Sequence, residues 1–300
     1  MRFPAFVLAL ISLASLASAQ QTRVNPRPPL GRLLVSGFES DAVHSYRTFD
    51  GAPRAAIAAP GAQCTFVGPD GLLYVCAEQA NQVLRFDADT LAPLGVFVGD
   101  DPLTPADENG PLNGPTAASF GPGGDLFVAS FNNDRILRFD GVSGAYEGEF
   151  VTAGLGGLNG PDAGTKWAAD GLLYVPSFFS DSVLRYDATG AFVDPFVSTG
   201  EGSLRQPRDL VLHRGLWYVA SSFNNRILRY DLAGNFVDQF ATVGRPYSLA
   251  FRPRSDELYV VSLTGNNVRK FDGLTGASLG TIVSAGSAGL LGAVYVSFLP

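Results

Sequence analysis

Apolar and polar positions along this chain recur in one phrase: an apolar strand ending in valine, a polar turn, then a strand closing on Arg-aromatic-Asp. Three copies read SFNNDRILRFD (130–140), SFFSDSVLRYD (177–187) and SSFNNRILRYD (221–231). Further copies read EQANQVLRFD (78–87), LTGNNVRKFD (263–272) and, more loosely, GFESDAVHSYR (37–47). The valines Val35, Val75, Val128, Val175, Val219 and Val260 set the register, at spacings of 40, 53, 47, 44 and 41 residues. That period suits four short strands with their turns, so the pattern predicts six propeller blades.

Eight residues after each valine stands a β-branched residue (Val43, Val83, Ile136, Val183, Ile227, Val268), and eleven after it an aromatic (Tyr46, Phe86, Phe139, Tyr186, Tyr230, Phe271). Such a pair in fixed register marks a strand buried on both faces. The twelfth position is Asp in five copies (Asp87, Asp140, Asp187, Asp231, Asp272), where an Asx turn begins. A Pro-led apolar segment such as Pro115–Phe120 or Pro246–Phe251 gives each blade its inner strand. The valine strand is second and the Arg-aromatic strand third. A looser run such as 192–197, with a Pro that an edge strand tolerates, is fourth.

The chain ends supply an internal check. Blade one begins at Leu33 with no inner strand before it, while the tail LGAVYVSFLP (291–300) aligns with the inner-strand phrase NGPTAASFGP (113–122). The expectation is an all-β, six-bladed propeller of four-stranded blades in which residues 293–298 complete blade one. Closing the ring in this way removes open sheet edges. Residues 31–300 then form one domain.

Composition changes little in this picture: 46% apolar and 16% charged residues, with 35 Gly and 20 Pro, describe a turn-rich globular chain. Before the repeats, Arg2, the apolar run Phe6 to Ile11 and the small-x-small site Ala17-Ser18-Ala19 read as a signal peptide over residues 1–19. Residues 20–30 read as a flexible, Pro-rich mature N-terminus. A secreted or periplasmic location, no membrane span and a monomer are expected. Cys64 and Cys76 flank the first hairpin of blade two, where they form either a disulfide or two buried thiols.

The alternation of a Pro-led strand, Gly-x-Leu-Tyr-Val and Asn-x-Arg-Ile-x-x-Phe-Asp resembles the NHL repeat across residues 31–300. The connectors 110–115 (GPLNGP) and 154–161 (GLGGLNGP) are similar to the glycine-rich segment before each NHL repeat. The resemblance implies a propeller that binds protein or nucleic acid or, in some members, performs catalysis, so fold alone does not select among these. Peptidyl-amidoglycolate lyases and virginiamycin B lyases resemble this pattern too, and both rest on sets of histidines. The two histidines here, His44 in a third strand and His213 in a first hairpin turn, match neither set.

Candidate chemistry falls in four places. Phe38, Phe131, Phe178, Phe179 and Phe223 lie in second-to-third-strand turns, on the face where the connectors emerge. They either form a recognition surface for a protein, peptide or glycan, or fold back over the blade junctions. Asp100, Asp101, Asp107 and Glu108 crowd the longest connector and could ligate calcium or another divalent metal, without following a fixed ligand pattern. Gln63, Thr116, Asp162, Lys166, Arg208 and Asp209 belong to inner strands and face the channel. There Asp162 and Asp209 could serve as acid and base or hold a metal, or pair with Arg208 and Lys166. The Asx residues six after each valine, from Asp41 to Asn266, are assigned to turns, and the recurrent Arg85, Arg138, Arg185, Arg229 and Lys270 to pairing with neighbouring turns. With a net charge of −7 and no basic face visible in the sequence, nucleic acid is not the expected partner. The leading expectation is a binding scaffold with no resident cofactor, ahead of a metal-dependent lyase or hydrolase.

Overall fold

A computed structural model describes residues 31–99 and 110–299. The expected leader, the Pro-rich N-terminus and the connector carboxylates Asp100, Asp101, Asp107 and Glu108 lie outside the described residues.

The strands of blade one are β1 (Arg32–Gly37), β2 (Ala42–Arg47) and β3 (Pro53–Ala58). Blade two holds β4 (Ala62–Val67), β5 (Leu73–Ala77), β6 (Gln82–Phe86) and β7 (Pro93–Val98). Blade three holds β8 (Pro115–Phe120), β9 (Leu126–Ser130), β10 (Arg135–Phe139) and β11 (Tyr146–Val151). Blade four follows with β12 (Lys166–Trp167), β13 (Leu173–Ser177), β14 (Ser182–Tyr186) and β15 (Phe192–Val197). Blade five holds β16 (Pro207–His213), β17 (Leu216–Ser221), β18 (Arg226–Tyr230) and β19 (Phe236–Thr242). Blade six holds β20 (Pro246–Phe251), β21 (Glu257–Ser262), β22 (Asn267–Asp272) and β23 (Ser278–Val283). The last strand, β24 (Ala293–Leu299), pairs antiparallel with β1 as the inner strand of blade one, in the order β24-β1-β2-β3. The ring therefore closes through the two ends of the chain, as the tail pattern predicts.

The valines and the aromatics of the repeat are buried, and each blade stacks its apolar face on the next. Two polar devices recur around the ring, one within each blade and one between successive blades. Three residues after each valine, the backbone N–H of Phe38, Glu78, Phe131, Phe178, Ser222 and Leu263 donates to the carbonyl before its blade's inner strand, at 2.9–3.2 Å. The Asx residue at the sixth position does more than turn the chain. Asp41, Asn81, Asp134, Asp181, Asn225 and Asn266 all have left-handed φ between 44° and 62°. Each side chain accepts a backbone N–H from the next blade's connector (Gly61, Gly114, Gly160, Gln206, Arg245 and Ala293) at 2.6–2.9 Å. Asp and Asn tolerate this backbone region, and an oxygen at Cγ has the reach.

Six identical staples therefore tie each blade to the one after it. Asp134→Ala loses both the conformational preference and a charge-assisted hydrogen bond, so a loss of about 2 kcal/mol is expected. Thermal melts should show it as a drop of roughly 4–8 °C. An unchanged melting temperature would remove the staple from the account.

Four of the five recurrent basic residues form ion pairs, mostly with carboxylates on the neighbouring strands of their own blade in place of the neighbouring turns expected. Arg185 bridges Asp194, Arg229 bridges Asp238, Arg138 bridges Asp125 and Glu147, and Lys270 bridges Glu257. Arg85 instead lies over the Phe97 ring.

Candidate functional site

The inner strands of blades one, two, three, five and six each carry a β-bulge near the connector end. Blade four departs from the others. In blade three the residues paired with Ser130 and Phe127 are Pro115 and Ser119, four apart. In blade four the equivalents, Pro161 opposite Ser177 and Lys166 opposite Tyr174, are five apart. The extra residue explains why regular pairing survives only at Lys166–Trp167. The slack packs across the junction: Gly164 N–H donates to Arg208 O at 2.8 Å, and a Cβ on Gly164 would stand 2.7 Å from the Asp209 Cα. Only glycine permits that approach.

Around this bulge the polar groups of the channel pair off. The Asp162 carboxylate is fully buried, accepts Arg208 Nη1 at 2.8 Å and accepts the Ala163 N–H at 2.7 Å. The Arg208 guanidinium is clamped between two rings, its Cζ 4.2 Å from the Phe178 centroid and 4.1 Å from that of Tyr247. Asp209 accepts Lys166 Nζ at 3.1 Å on one oxygen, and Ser248 Oγ and Leu249 N–H on the other, both at 2.9 Å. The two carboxylates therefore belong to separate ion pairs, as the plainer reading of the sequence had it. Burial still pushes the Asp162 carboxyl up to about 6, outweighing the attraction of Arg208.

The structure adds a residue that the inner-strand pattern does not point to. Glu78, in the second-to-third-strand turn of blade two, accepts a hydrogen bond from Gln63 Nε2, and Tyr247 donates to the oxygen of the same amide at 3.3 Å. Burial raises the Glu78 carboxyl above its ordinary value. The signal was present in the alignment, because the same position reads Phe38, Phe131, Phe178, Ser222 and Leu263 in the other blades. An acid where the other blades carry Phe, Ser or Leu sets blade two apart at this position.

The five candidate phenylalanines divide. Phe178 is buried beneath Arg208, and Phe38 packs half-buried against the core of blades six and one. These two follow the second of the alternatives that the sequence leaves open, folding back over the blade junctions instead of joining a recognition surface. Phe179 and Phe223 are 57% and 59% exposed. Half-buried Phe131 lies 5.7 Å from Phe179, and Phe223 carries the Arg205 guanidinium at 5.2 Å. Beside Phe223, a depression of about 520 Å³ is lined by Gln206, Asn225, Arg245 and Thr264.

Cys64 and Cys76 are buried free thiols with their sulfurs 2.7 Å apart across the first hairpin of blade two. His44 donates or accepts at Ser40 Oγ, 3.0 Å away, and burial lowers its pKa. Neither histidine lies in the Asp162–Arg208 cluster. Among the described residues one trio of carboxylates comes close enough to share a cation, Asp125, Asp140 and Glu147 on the outer part of blade three. The Arg138 guanidinium already bridges two of the three, at 2.7 Å each. Also among the described residues, no helix is long and apolar enough to cross a membrane.

No family model matches the sequence, and no curated protein matches it significantly. Solved structures do match. A chain in a nidogen/laminin complex superposes with a TM-score of 0.72 at 14% identity, covering 90% of this chain and 98% of its own. A protein of unknown function from Bacteroides caccae gives 0.68 at 12% identity, with coverage of 90% and 98%. Virginiamycin B lyase from Staphylococcus aureus gives 0.57 at 15% identity, with coverage of 81% and 78%. Likeness at these identities establishes the propeller and leaves the function open.

Proposed function

We propose that the protein is an exported binding scaffold that takes a protein, peptide or glycan on its connector face, in the sector of Phe131, Phe179 and Phe223. The observation that carries this reading is the contrast between that face and the channel. Phe179 and Phe223 stand more than half exposed, Phe223 beside a depression holding Gln206, Asn225 and Arg245, while the channel carboxylates Asp162 and Asp209 are each occupied by a cation of their own. Exposed aromatics next to amide and guanidinium donors offer apolar area with fixed polar anchors. The amino-terminal pattern of residues 1–19 supports export, and the repeat phrasing supports NHL-like descent. The nidogen/laminin complex shows that a chain of this fold occurs in a protein assembly, while the lyase neighbours show that the fold also hosts catalysis. A lyase or hydrolase centred on Asp162 and Asp209 is the weaker reading, since the two carboxylates sit in separate ion pairs and neither is free to take a metal without breaking one.

The test is a peptide and glycan array probed with labelled mature protein, alongside the double variant Phe179→Ala/Phe223→Ala. These exposed truncations should leave the melting temperature within about 2 °C, because surface substitutions rarely exceed roughly 0.5 kcal/mol each. Binding should fall at least about tenfold if the pair forms a hot spot. Array signals that survive the double variant unchanged would defeat this assignment.

A further inference from the structure

On the opposite face, formed by the first-to-second-strand turns, blades five and six share a second depression. Its volume is about 390 Å³, and its lining includes His213, Arg214, Arg252, Arg254 and Asp256. The turn of blade six breaks the repeat in both length and charge. Blades two, three and four turn on Gly68-Pro69-Asp70-Gly71, Gly121-Pro122-Gly123-Gly124 and Ala168-Ala169-Asp170-Gly171. In each, the first N–H reaches the carbonyl four residues on, at Leu72, Asp125 and Leu172. Blade six reads Arg252-Pro253-Arg254-Ser255-Asp256, and the Arg252 N–H reaches Glu257, one residue further. Where the other turns have glycine, alanine or aspartate, this one has two arginines.

Two of the three arginines, Arg214 and Arg252, are held by carboxylates. Arg214 binds Asp256 through Nε and Nη2, both at 2.7 Å, and His213 Nε2 meets the same carboxylate at 2.7 Å. The His213 ring in turn stacks on Phe251 at 3.7 Å. Arg252 is fixed by Glu257 at 2.8 Å. Arg214 and Arg254 both occupy left-handed backbone, with φ of 48° and 60°, a region in which long side chains are uncommon. The surrounding charge points the same way. Residues 201–275 hold ten Lys or Arg against seven Asp or Glu, while residues 31–200 hold eight against 21. Blades five and six therefore carry a more positive charge balance than the rest of the chain.

We propose that this depression binds a tetrahedral oxyanion, a phosphate or sulfate monoester, on the guanidiniums of Arg214, Arg252 and Arg254. The N–H groups left over from the Asp256 and Glu257 bridges, with those of Arg254, suit a tetrahedral oxyanion, and the volume accommodates a small ester such as a monosaccharide derivative. The site lies on the other face from Phe179 and Phe223 and stands or falls independently of the connector-face reading.

Isothermal titration of the full chain with glucose 6-phosphate, glucose 6-sulfate and glucose tests it. One or both esters should bind and glucose should not; binding of a single ester names the source of the anion. Arg254→Asn, which keeps a residue tolerant of left-handed backbone, should weaken binding at least about tenfold. Arg254→Lys should retain part of it, and raising NaCl from about 50 to about 500 mM should weaken it several-fold. Phe179→Ala/Phe223→Ala should change nothing. Absence of binding by both esters, equal binding of glucose, or full affinity in Arg254→Asn would overturn the proposal.

Discussion

Truncation after Gly292 is expected to leave a chain that does not fold to a stable monomer. The deletion removes β24, and with it the buried Ala293, Val294, Val296 and Leu299 that fill the seam between blades six, one and two. Full burial of an aliphatic side chain contributes about 1.5–3 kcal/mol, so the loss is on the order of the whole stability of a domain. The cut also strips β1 of its inner partner along Arg32–Gly37 and exposes that edge to pairing with other chains. Three seam contacts go with it: the Thr65–Ser297 hydroxyl pair at 2.6 Å, the Val296 N–H on Ser248 Oγ at 3.3 Å and the Ala293 N–H on Asn266 Oδ1 at 2.9 Å. Size-exclusion chromatography and thermal melts of the truncated chain should show aggregates and no cooperative transition. A monomer melting within a few degrees of the full chain would mean that the ring does not depend on its terminal strand.

Arg208→Met is the second large effect. The substitution leaves Asp162 buried without its cation, and breaking a buried pair from one side costs about 3–5 kcal/mol. The clamp on Phe178 and Tyr247 is lost as well. A fall of roughly 10 °C in melting temperature is expected at neutral pH. Adding Asp162→Asn should recover more than half of it, because the unpaired charge causes most of the damage; a purely additive double variant would contradict this.

The pH dependence follows from the raised carboxyl. The folded value of about 6 lies above the ordinary Asp value of 3.8, so between the two the folded state holds a proton that the unfolded state has released. Stability from this group therefore falls as pH rises from about 4 to about 6 and stays lower above that. Asp162→Asn alone should flatten that part of the profile. In Arg208→Met the destabilisation should shrink once the carboxyl is protonated.

Much of the fold was legible because a propeller repeats its instructions. Valine and aromatic positions recur at fixed offsets, and the tail aligns with an inner strand, so six blades and the closing partner follow from local pattern alone. The junctions between blades were not legible in the same way. The Asx residues read as turn formers, yet their side chains also reach into the next blade, a contact that no single repeat encodes. The extra residue in blade four hides in a segment where Gly160, Pro161 and Gly164 obscure strand periodicity, and its consequence is a three-dimensional contact with Asp209.

The candidate site was half visible for the same reason. Asp162, Asp209, Arg208 and Lys166 could be placed on inner strands, and their division into two pairs required angular positions around the ring. Phe178 and Phe179 are adjacent in sequence and alike in chemistry, but one points to the axis and is covered while the other points outward. Alternation within a turn, unlike alternation within a strand, has no fixed period to read.

The central claim is that the connector face, rather than the channel, is the working surface. Hydrogen–deuterium exchange of the full chain, with and without the strongest array ligand, tests it most directly. The account predicts slowed exchange in segments 130–134, 178–181 and 222–226, with segments 161–166 and 207–210 unchanged. Protection confined to 161–166 and 207–210 would place the ligand in the channel and contradict it.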